Sequence, residues 1–289
     1  MIGQRGTAAS RPWLPPHAYF VVSAIFHYLG PAFAVLLFAR VGVLGVAWLR
    51  IASAAVAFAL WRRPWRQFRA SPWSRQRTLV ALGIVLALMN ACFYLAIARL
   101  PLATVGAIEF LGQIVLAAIG IRTRRNVLAL GLAVGGVALL TDVRLGGQPV
   151  GFLFAFANCA FFMLYVLLGY RIAADGGSAG IDRLGGAMLI ALVAITPLGV
   201  GEALPAFSDA QLLLAGVVVG VCSSVIPYVT DQLAMVRLPR ATFALLLALL
   251  PATAALIGIL VLRQVPTPAE LGGIALIMGG VALHQTPGE

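Results

Sequence analysis

The chain contains little charge and no lysine. Only 10% of its 289 residues are charged, whereas 62% are hydrophobic, and the mean hydropathy is +1.01. Because about a quarter of the residues in a soluble domain are charged, this composition excludes an ordinary soluble protein. All twenty basic residues are arginine, and we interpret the absence of lysine as compositional bias without functional meaning.

Cysteine is also scarce, and the familiar catalytic motifs are missing. The three cysteines, Cys92, Cys159 and Cys222, lie inside apolar segments, where a thiol acts mostly as a small hydrophobic group. They predict neither a disulfide framework nor a metal site, and we expect no cofactor. The sequence has no Walker-type phosphate loop and no HExxH or GxSxG motif. These absences argue against an ATPase and against the hydrolases that those motifs mark.

Long apolar runs account for most of the chain. Each run is long enough to cross a hydrocarbon core about 30 Å thick as a helix. They predict an all-α polytopic membrane protein with ten transmembrane helices. The first run is too long for the core of a signal peptide, so we expect it to remain as the first span. The predicted spans are 17–39, 44–61, 78–98, 102–121, 126–141, 149–170, 184–201, 210–234, 241–262 and 268–285.

The arginines are distributed unevenly between the two sides of the membrane. With the N-terminus inside, fifteen lie in cytoplasmic segments, and four lie on the opposite side: Arg40, Arg99, Arg144 and Arg263. By the positive-inside rule, both termini should be cytoplasmic, and we expect the protein in the inner (plasma) membrane. The net charge of +11 therefore reflects topology, and we expect no nucleic-acid partner.

Tryptophan and arginine alternate in the segment WRRPWRQFRASPWSRQR at 61–77. Aromatic rings at headgroup depth, with arginines near anionic lipid, would place this loop at the membrane surface. We favour this interpretation over nucleic-acid binding, and membrane lipid is the expected partner. Pairs of small residues such as Gly131 and Gly135 favour close helix packing, and a homodimer is left open.

The two halves of the chain resemble each other. ARLPLAT at 98–104 recurs as VRLPRAT at 236–242, and GGVAL at 135–139 recurs at 279–283. Each copy contains five spans, an odd number, so the second half should enter the membrane upside down relative to the first. Inverted repeats with a site at their interface are common in secondary transporters. The predicted organisation is a cytoplasmic segment 1–16, a five-helix repeat 17–141, a connection 142–148, a second five-helix repeat 149–285 and a cytoplasmic tail 286–289.

Ionisable residues inside spans are the first candidates for a functional site, because charge within hydrocarbon is costly. Glu109 and Gln113 are four residues apart and share a helix face, and Arg50 is the only cation placed well inside a span. We predict that Glu109 handles substrate or protons. The alternative is a structural carboxyl, either protonated and hydrogen-bonded or paired with Arg50, and Arg50 itself is either a substrate ligand or only the counter-charge.

A second acidic residue, Asp231, follows Pro227 in the segment VIPYVTDQLAMVRLP. Tyr228 and Asp231 share a helix face, and Pro227 removes one backbone hydrogen bond, which leaves carbonyls available near a cavity. The alternative is an interfacial residue, because Asp231 lies only six positions before Arg237.

Four further polar residues lie at helical spacing within two spans. Asn90 and Tyr94 are four residues apart in the third span, and Asn158 and Tyr165 are two turns apart in the sixth. Each alone is better explained by a hydrogen bond between helices. Together with Glu109 they favour a polar cavity.

Two stretches resemble a known transporter family. NACFYLAIARLPLATVGAIEFLGQIVLA and PYVTDQLAMVRLPRATFALLLALLPATAALIG are similar to the drug/metabolite transporter superfamily, and within it to EamA-type proteins of the threonine/homoserine exporter kind. The resemblance implies ten helices in two inverted halves around a central cavity. Glu109 matches the glutamate of an EFxGP-like segment, and Asp231 stands where such exporters usually carry Glu. Gln113 departs from the pattern, which usually has Pro at that position.

The leading hypothesis is a secondary transporter that exports small amphipathic metabolites, amino acids such as threonine and homoserine, by alternating access. Glu109 would bind the substrate ammonium or exchange it for a proton, and Arg50 would receive a carboxylate. One alternative is an integral-membrane enzyme, but the acids in the outer loops, Asp142, Glu202, Asp209 and Glu270, occur singly. Another is a non-transporting scaffold, which would give no reason for placing Glu109 and Asp231 inside membrane spans.

Overall fold

The computed structural model describes residues 15–120, 123–142, 148–173, 178–235, 246 and 249–283. Within these ranges the chain is helical and contains no strand. The helices are α1 (Pro16–Val41), α2 (Val43–Arg62), α3 (Trp65–Ala70), α4 (Trp73–Ile97), α5 (Leu102–Gly120), α6 (Arg124–Asp142), α7 (Pro149–Ala173), α8 (Ser178–Phe207), α9 (Ala210–Gly220), α10 (Ile226–Met235), α11 (Leu250–Leu262) and α12 (Pro268–Leu283). A π-helical turn, Val221–Val225, joins α9 to α10.

Six described segments are long and apolar enough to cross a membrane, and three shorter apolar helices accompany them. The prediction of an all-helical, multi-pass membrane protein is therefore confirmed. Each predicted span overlaps a helix, although residues 241–245 and 247–248 of the ninth span lie outside the described part of the chain. The six segments are Ala18–Val41, Val43–Arg62, Trp73–Ile97, Pro149–Gly169, Asp182–Phe207 and Ala210–Asp231.

Helix α5 occupies the centre of the bundle. Every residue from Leu102 to Phe110 is buried, and the helix packs against α6, α7, α11 and α12. On either side of this centre, α4 packs against α7 and α8, while α1 packs against α9, α10 and α11. A side chain on the first half of α5 is thus surrounded by protein on all sides.

Helices α2 and α8 run antiparallel and are joined at both ends. At one end, Glu202 near the end of α8 accepts hydrogen bonds from the first amide groups of α2, Leu44 N at 2.8 Å and Gly45 N at 3.2 Å. A carboxylate there satisfies donors that a helix N-terminus leaves free and favours its dipole. At the other end, Arg62 of α2 forms a salt bridge with Asp182 of α8.

We expect Glu202→Ala to lower the free energy of unfolding by about 1–2 kcal/mol, because the two amide donors of α2 lose their acceptor. Glu202→Gln keeps one carbonyl oxygen and should lose less. Unfolding in mixed detergent and SDS micelles measures both variants against the wild type. Equal stability of the alanine variant and the wild type would contradict this account of the helix end.

Candidate functional site

Glu109 lies on the buried half of α5 and faces α7. Only 4% of its surface is exposed. Asn158 of α7 donates a hydrogen bond from Nδ2 to Glu109 Oε1 over 3.3 Å. The second carboxylate oxygen, Oε2, and the Asn158 side-chain oxygen are buried and have no hydrogen-bond partner among the described residues. The structure therefore brings together two residues that the sequence singled out separately, and leaves each with an unused acceptor.

Tyr28 of α1 reaches the same region. Its side chain is fully buried, and its hydroxyl group has no hydrogen-bond partner in the described part of the chain. The ring packs beside Gly106, one turn before Glu109: a Cβ at position 106 would lie 2.9 Å from the hydroxyl oxygen. Glycine at 106 therefore allows the tyrosine to approach α5, and His27 packs edge-on to Tyr28 at 5.1 Å between ring centroids.

Arg50 enters from α2 and is held by the turn between α9 and α10. Its Nε donates to Ser224 Oγ and its Nη2 to the Ser223 carbonyl oxygen, each over 3.0 Å. The guanidinium carbon lies 5.5 Å from the centroid of the Tyr94 ring, a distance typical of a cation–π contact. Arg50 is thereby fixed by neutral groups from two other helical segments.

Arg50 and Glu109 do not form the direct ion pair that the sequence left open. Salt bridges between described residues join Arg40 to Asp209 and Arg62 to Asp182, and none joins Arg50 to Glu109. The two charges are close enough to act on each other electrostatically. Arg50 nevertheless donates its hydrogen bonds to neutral groups, and Glu109 accepts its hydrogen bond from a neutral amide. Both charged groups therefore keep hydrogen-bonding capacity.

Five buried polar atoms in this part of the bundle have no hydrogen-bond partner among the described residues. Nearly all buried polar groups in proteins are paired, and each unpaired one costs roughly 1–3 kcal/mol. Five such atoms, contributed by several helices beside Arg50, are typical of a site for a small polar ligand. They are Tyr28 Oη, Tyr94 Oη, Glu109 Oε2, Asn158 Oδ1 and Ser223 Oγ.

Asp231 belongs to a neighbouring cluster on α10. It is half-buried, and one turn earlier in the same helix the Pro227 carbonyl accepts a hydrogen bond from the Ser23 hydroxyl of α1 over 3.4 Å. Tyr228 lies near Asp231, and Tyr165 stacks on Phe162 with ring centroids 5.9 Å apart. The helix that carries Asp231 thus packs against α1, and the part of Asp231 in substrate or proton handling remains a prediction.

No described contact brings Asn90 or Gln113 to Glu109. Asn90 is buried, but its amide donates to the Leu86 carbonyl one turn earlier in its own helix, over 2.7 Å. The side chain of Gln113 lies outside the described part of the chain.

Sequence reasoning missed three residues that build the site: Tyr28, Ser223 and Ser224. Serine in an apolar helix usually bonds its own backbone, so the serine pair did not stand out. The available signal was its position, three and four residues before Pro227.

A cavity of about 310 Å³ lies elsewhere, between the α4–α5 and α11–α12 connections. Its polar lining comes from Arg99, Thr104, Gln264 and Glu270, while Val35 and Ile274 lie among its apolar residues. Glu109 is not part of this lining. Glu109 is therefore buried outside the lining of this cavity.

Comparisons with known proteins agree with this architecture. The model of the EamA-like transporter family matches residues 149–284. The threonine/homoserine exporter RhtA of Escherichia coli (strain K12) is 31% identical over 272 residues, covering 92% of this chain and 89% of that protein. The protein of the same name from Salmonella typhimurium (strain LT2) is 30% identical with the same coverage. A crystal structure of another protein shares the fold, with a TM-score of 0.53 and 22% identity over 92% of this chain and 96% of that one.

We expect Gly106→Ala to lower the free energy of unfolding by about 1–3 kcal/mol through overpacking, because the new Cβ meets Tyr28 and Ala254. The matched control is Gly131→Ala in α6, where nothing lies within 4 Å of the new Cβ. That variant should be neutral or gain up to about 1 kcal/mol from helix propensity. SDS unfolding curves of the two variants check the contrast, and equal effects would refute the close approach of Tyr28.

Proposed function

Since the chain belongs to the EamA-like transporter family and is a membrane exporter, we propose that it exports small amino acids such as threonine and homoserine across the inner membrane. Transport proceeds by alternating access and is coupled to protons. The substrate class follows the names of its relatives and is supported by the chemistry of the site around Glu109 and Arg50.

The proposal rests on one observation: Glu109 and Arg50 do not pair with each other, and they lie among the buried polar atoms that have no described hydrogen-bond partner. A zwitterionic amino acid brings an ammonium group, which suits Glu109, and a carboxylate, which suits Arg50. Its ammonium donors would satisfy acceptors such as Glu109 Oε2 and Asn158 Oδ1. Occupation by such a substrate thus removes the cost of leaving these groups unpaired.

The proton coupling follows from the same carboxylate. A carboxylate buried in a membrane protein needs a positive partner or must become neutral, and Arg50 is not in direct contact with it. The substrate ammonium and a proton are therefore alternative ways to compensate Glu109. Binding one displaces the other, which links export of the amino acid to entry of a proton.

Mirrored helix contacts support the proposed inverted repeat, an architecture common among transporters that work by alternating access. Gly136 of α6 approaches α12 so closely that an added Cβ would lie 2.6 Å from the Gly273 carbonyl oxygen. In the reciprocal contact, a Cβ added to Gly280 of α12 would lie 2.7 Å from the Ala129 carbonyl oxygen of α6. The same 144 positions separate Gly136 from Gly280 and Ala129 from Gly273. An approximate two-fold axis that exchanges the halves produces such reciprocal contacts.

A second reciprocal contact involves different helices. Gly83 of α4 approaches the Ala187 carbonyl of α8, and Gly220 of α9 approaches the Arg50 carbonyl of α2, with an added Cβ at 2.8 and 2.7 Å from the oxygens. Each pair of corresponding residues is separated by 137 positions. In the proposed repeat, 17–141 and 149–285 are the halves that rock against each other, and the enclosed Glu109 corresponds to an occluded arrangement.

The segment around α3 supports the proposed orientation and lipid contact. Trp61, Trp65 and Trp73 are exposed by 55%, 43% and 72%, next to the arginines of the same loop. In our proposal these rings lie at the headgroup level of the cytoplasmic leaflet, both termini are cytoplasmic, and a homodimer is compatible with this arrangement.

We expect Glu109→Gln to reduce export of labelled L-threonine from proteoliposomes at least tenfold and to abolish its response to a pH gradient, because a neutral amide neither attracts the ammonium nor releases a proton. Glu202→Gln, at the end of α8, is the matched control and should retain both properties. Wild-type flux in the Glu109 variant would remove its proposed role. Wild-type flux that ignores the pH gradient would instead indicate facilitated diffusion or exchange.

A further inference from the structure

Pro227 leaves a backbone carbonyl without its helical donor. In an α-helix the carbonyl of Ser223 would accept from the amide of residue 227, but proline has no N–H. The preceding turn is π-helical, and the Ile226 amide bonds to the Val221 carbonyl rather than to that of Cys222. The segment between α9 and α10 thus deprives the Cys222 and Ser223 carbonyls of these α-helical donors, and π turns are often found at functional sites.

Arg50 supplies a donor to the Ser223 carbonyl. Its Nη2 donates to the Ser223 carbonyl and its Nε to the Ser224 hydroxyl, each over 3.0 Å. These two donors form one edge of the planar guanidinium group, so the bonds fix both the position and the plane of the group. Lysine, with a single ammonium, has no such edge.

At its other end the guanidinium group makes no hydrogen bond to a residue that the structure describes. Arg50 has five N–H groups, and its hydrogen bonds to described residues use only two of them. The terminal edge formed by Nη1 and Nη2 has the spacing that binds a carboxylate through two parallel hydrogen bonds. The Tyr94 ring faces the group 5.5 Å away and further limits its movement.

We propose that Pro227 is a positioning residue for substrate binding: it frees the Ser223 carbonyl, which holds Arg50 with its terminal edge available to the substrate carboxylate. This inference rests on the proposed function. A cation fixed before the substrate arrives does not lose side-chain freedom on binding, and such preorganisation raises affinity. The role of Pro227 is therefore exerted through Arg50 and not through contact with the substrate.

Pro227→Ala tests the inference because alanine restores the missing amide. We expect that amide to bond to the Ser223 carbonyl and displace Arg50 Nη2. The KM for L-threonine in proteoliposomes should rise about tenfold, as for the loss of one charge-assisted hydrogen bond, with kcat within about twofold of the wild type. Ser224→Ala removes only the acceptor of Nε and should raise KM in the same direction, while Ser224→Thr keeps the hydroxyl and should restore the wild-type value.

The matched control is Pro197→Ala in α8, another proline inside a helix. Pro197 is exposed, and its substitution should leave KM unchanged. A Pro227→Ala variant that lowers kcat at constant KM would overturn the positioning role in favour of a hinge. If the Pro227→Ala variant does not fold, the Ser224→Ala variant provides the test. An unchanged KM for L-threonine in the Ser224→Ala variant would overturn the inference.

A structure of the Pro227→Ala variant separates this inference from the proposed function. The expected result is Arg50 Nη2 beyond hydrogen-bonding distance of the Ser223 carbonyl. Retention of that hydrogen bond would overturn the inference even if the wild type transports threonine. Failure of the wild type to transport threonine or homoserine would overturn the proposed function and leave the structural result to decide the role of Pro227.

Discussion

The structure depends on keeping two opposite charges buried near each other without letting them combine. Arg50 and Glu109 lie inside an apolar bundle, where an uncompensated charge costs several kcal/mol. Each is instead held by neutral partners: serine groups for Arg50 and Asn158 for Glu109. Had the pair closed into a salt bridge, the two charges would have compensated each other and would attract the charges of a ligand less strongly.

The fold was largely predictable because hydropathy reports directly on burial in a bilayer. Span ends were less accurate: α8 extends from Ser178 to Phe207, beyond the predicted 184–201, because its helical ends lie outside the apolar stretch. Glu109 and Asn158 were recognised as candidates from the cost of placing them in hydrocarbon. Their mutual contact, 49 residues apart in sequence, depends on how α5 packs against α7, which no local pattern encodes.

The site is less symmetric than the scaffold that carries it. Under the proposed repeat, the position equivalent to Arg50 is Ala187, since both supply the carbonyl that a glycine approaches. Backbone packing has thus been kept at these two positions, whereas the arginine at position 50 is matched by an alanine at position 187. Ser223 and Ser224 could not be recognised from the sequence, because only the tertiary structure shows that they accept hydrogen bonds from an arginine in the other half of the chain.

The joined ends of α2 and α8 have a mechanical consequence. Two antiparallel helices tied by Glu202 at one end and by Asp182 at the other resist sliding along each other. Sliding of one helix along the other would have to break the contact at one end or the other. Arg50, in the middle of α2, is therefore carried by a helix whose two ends are anchored to the other half of the chain.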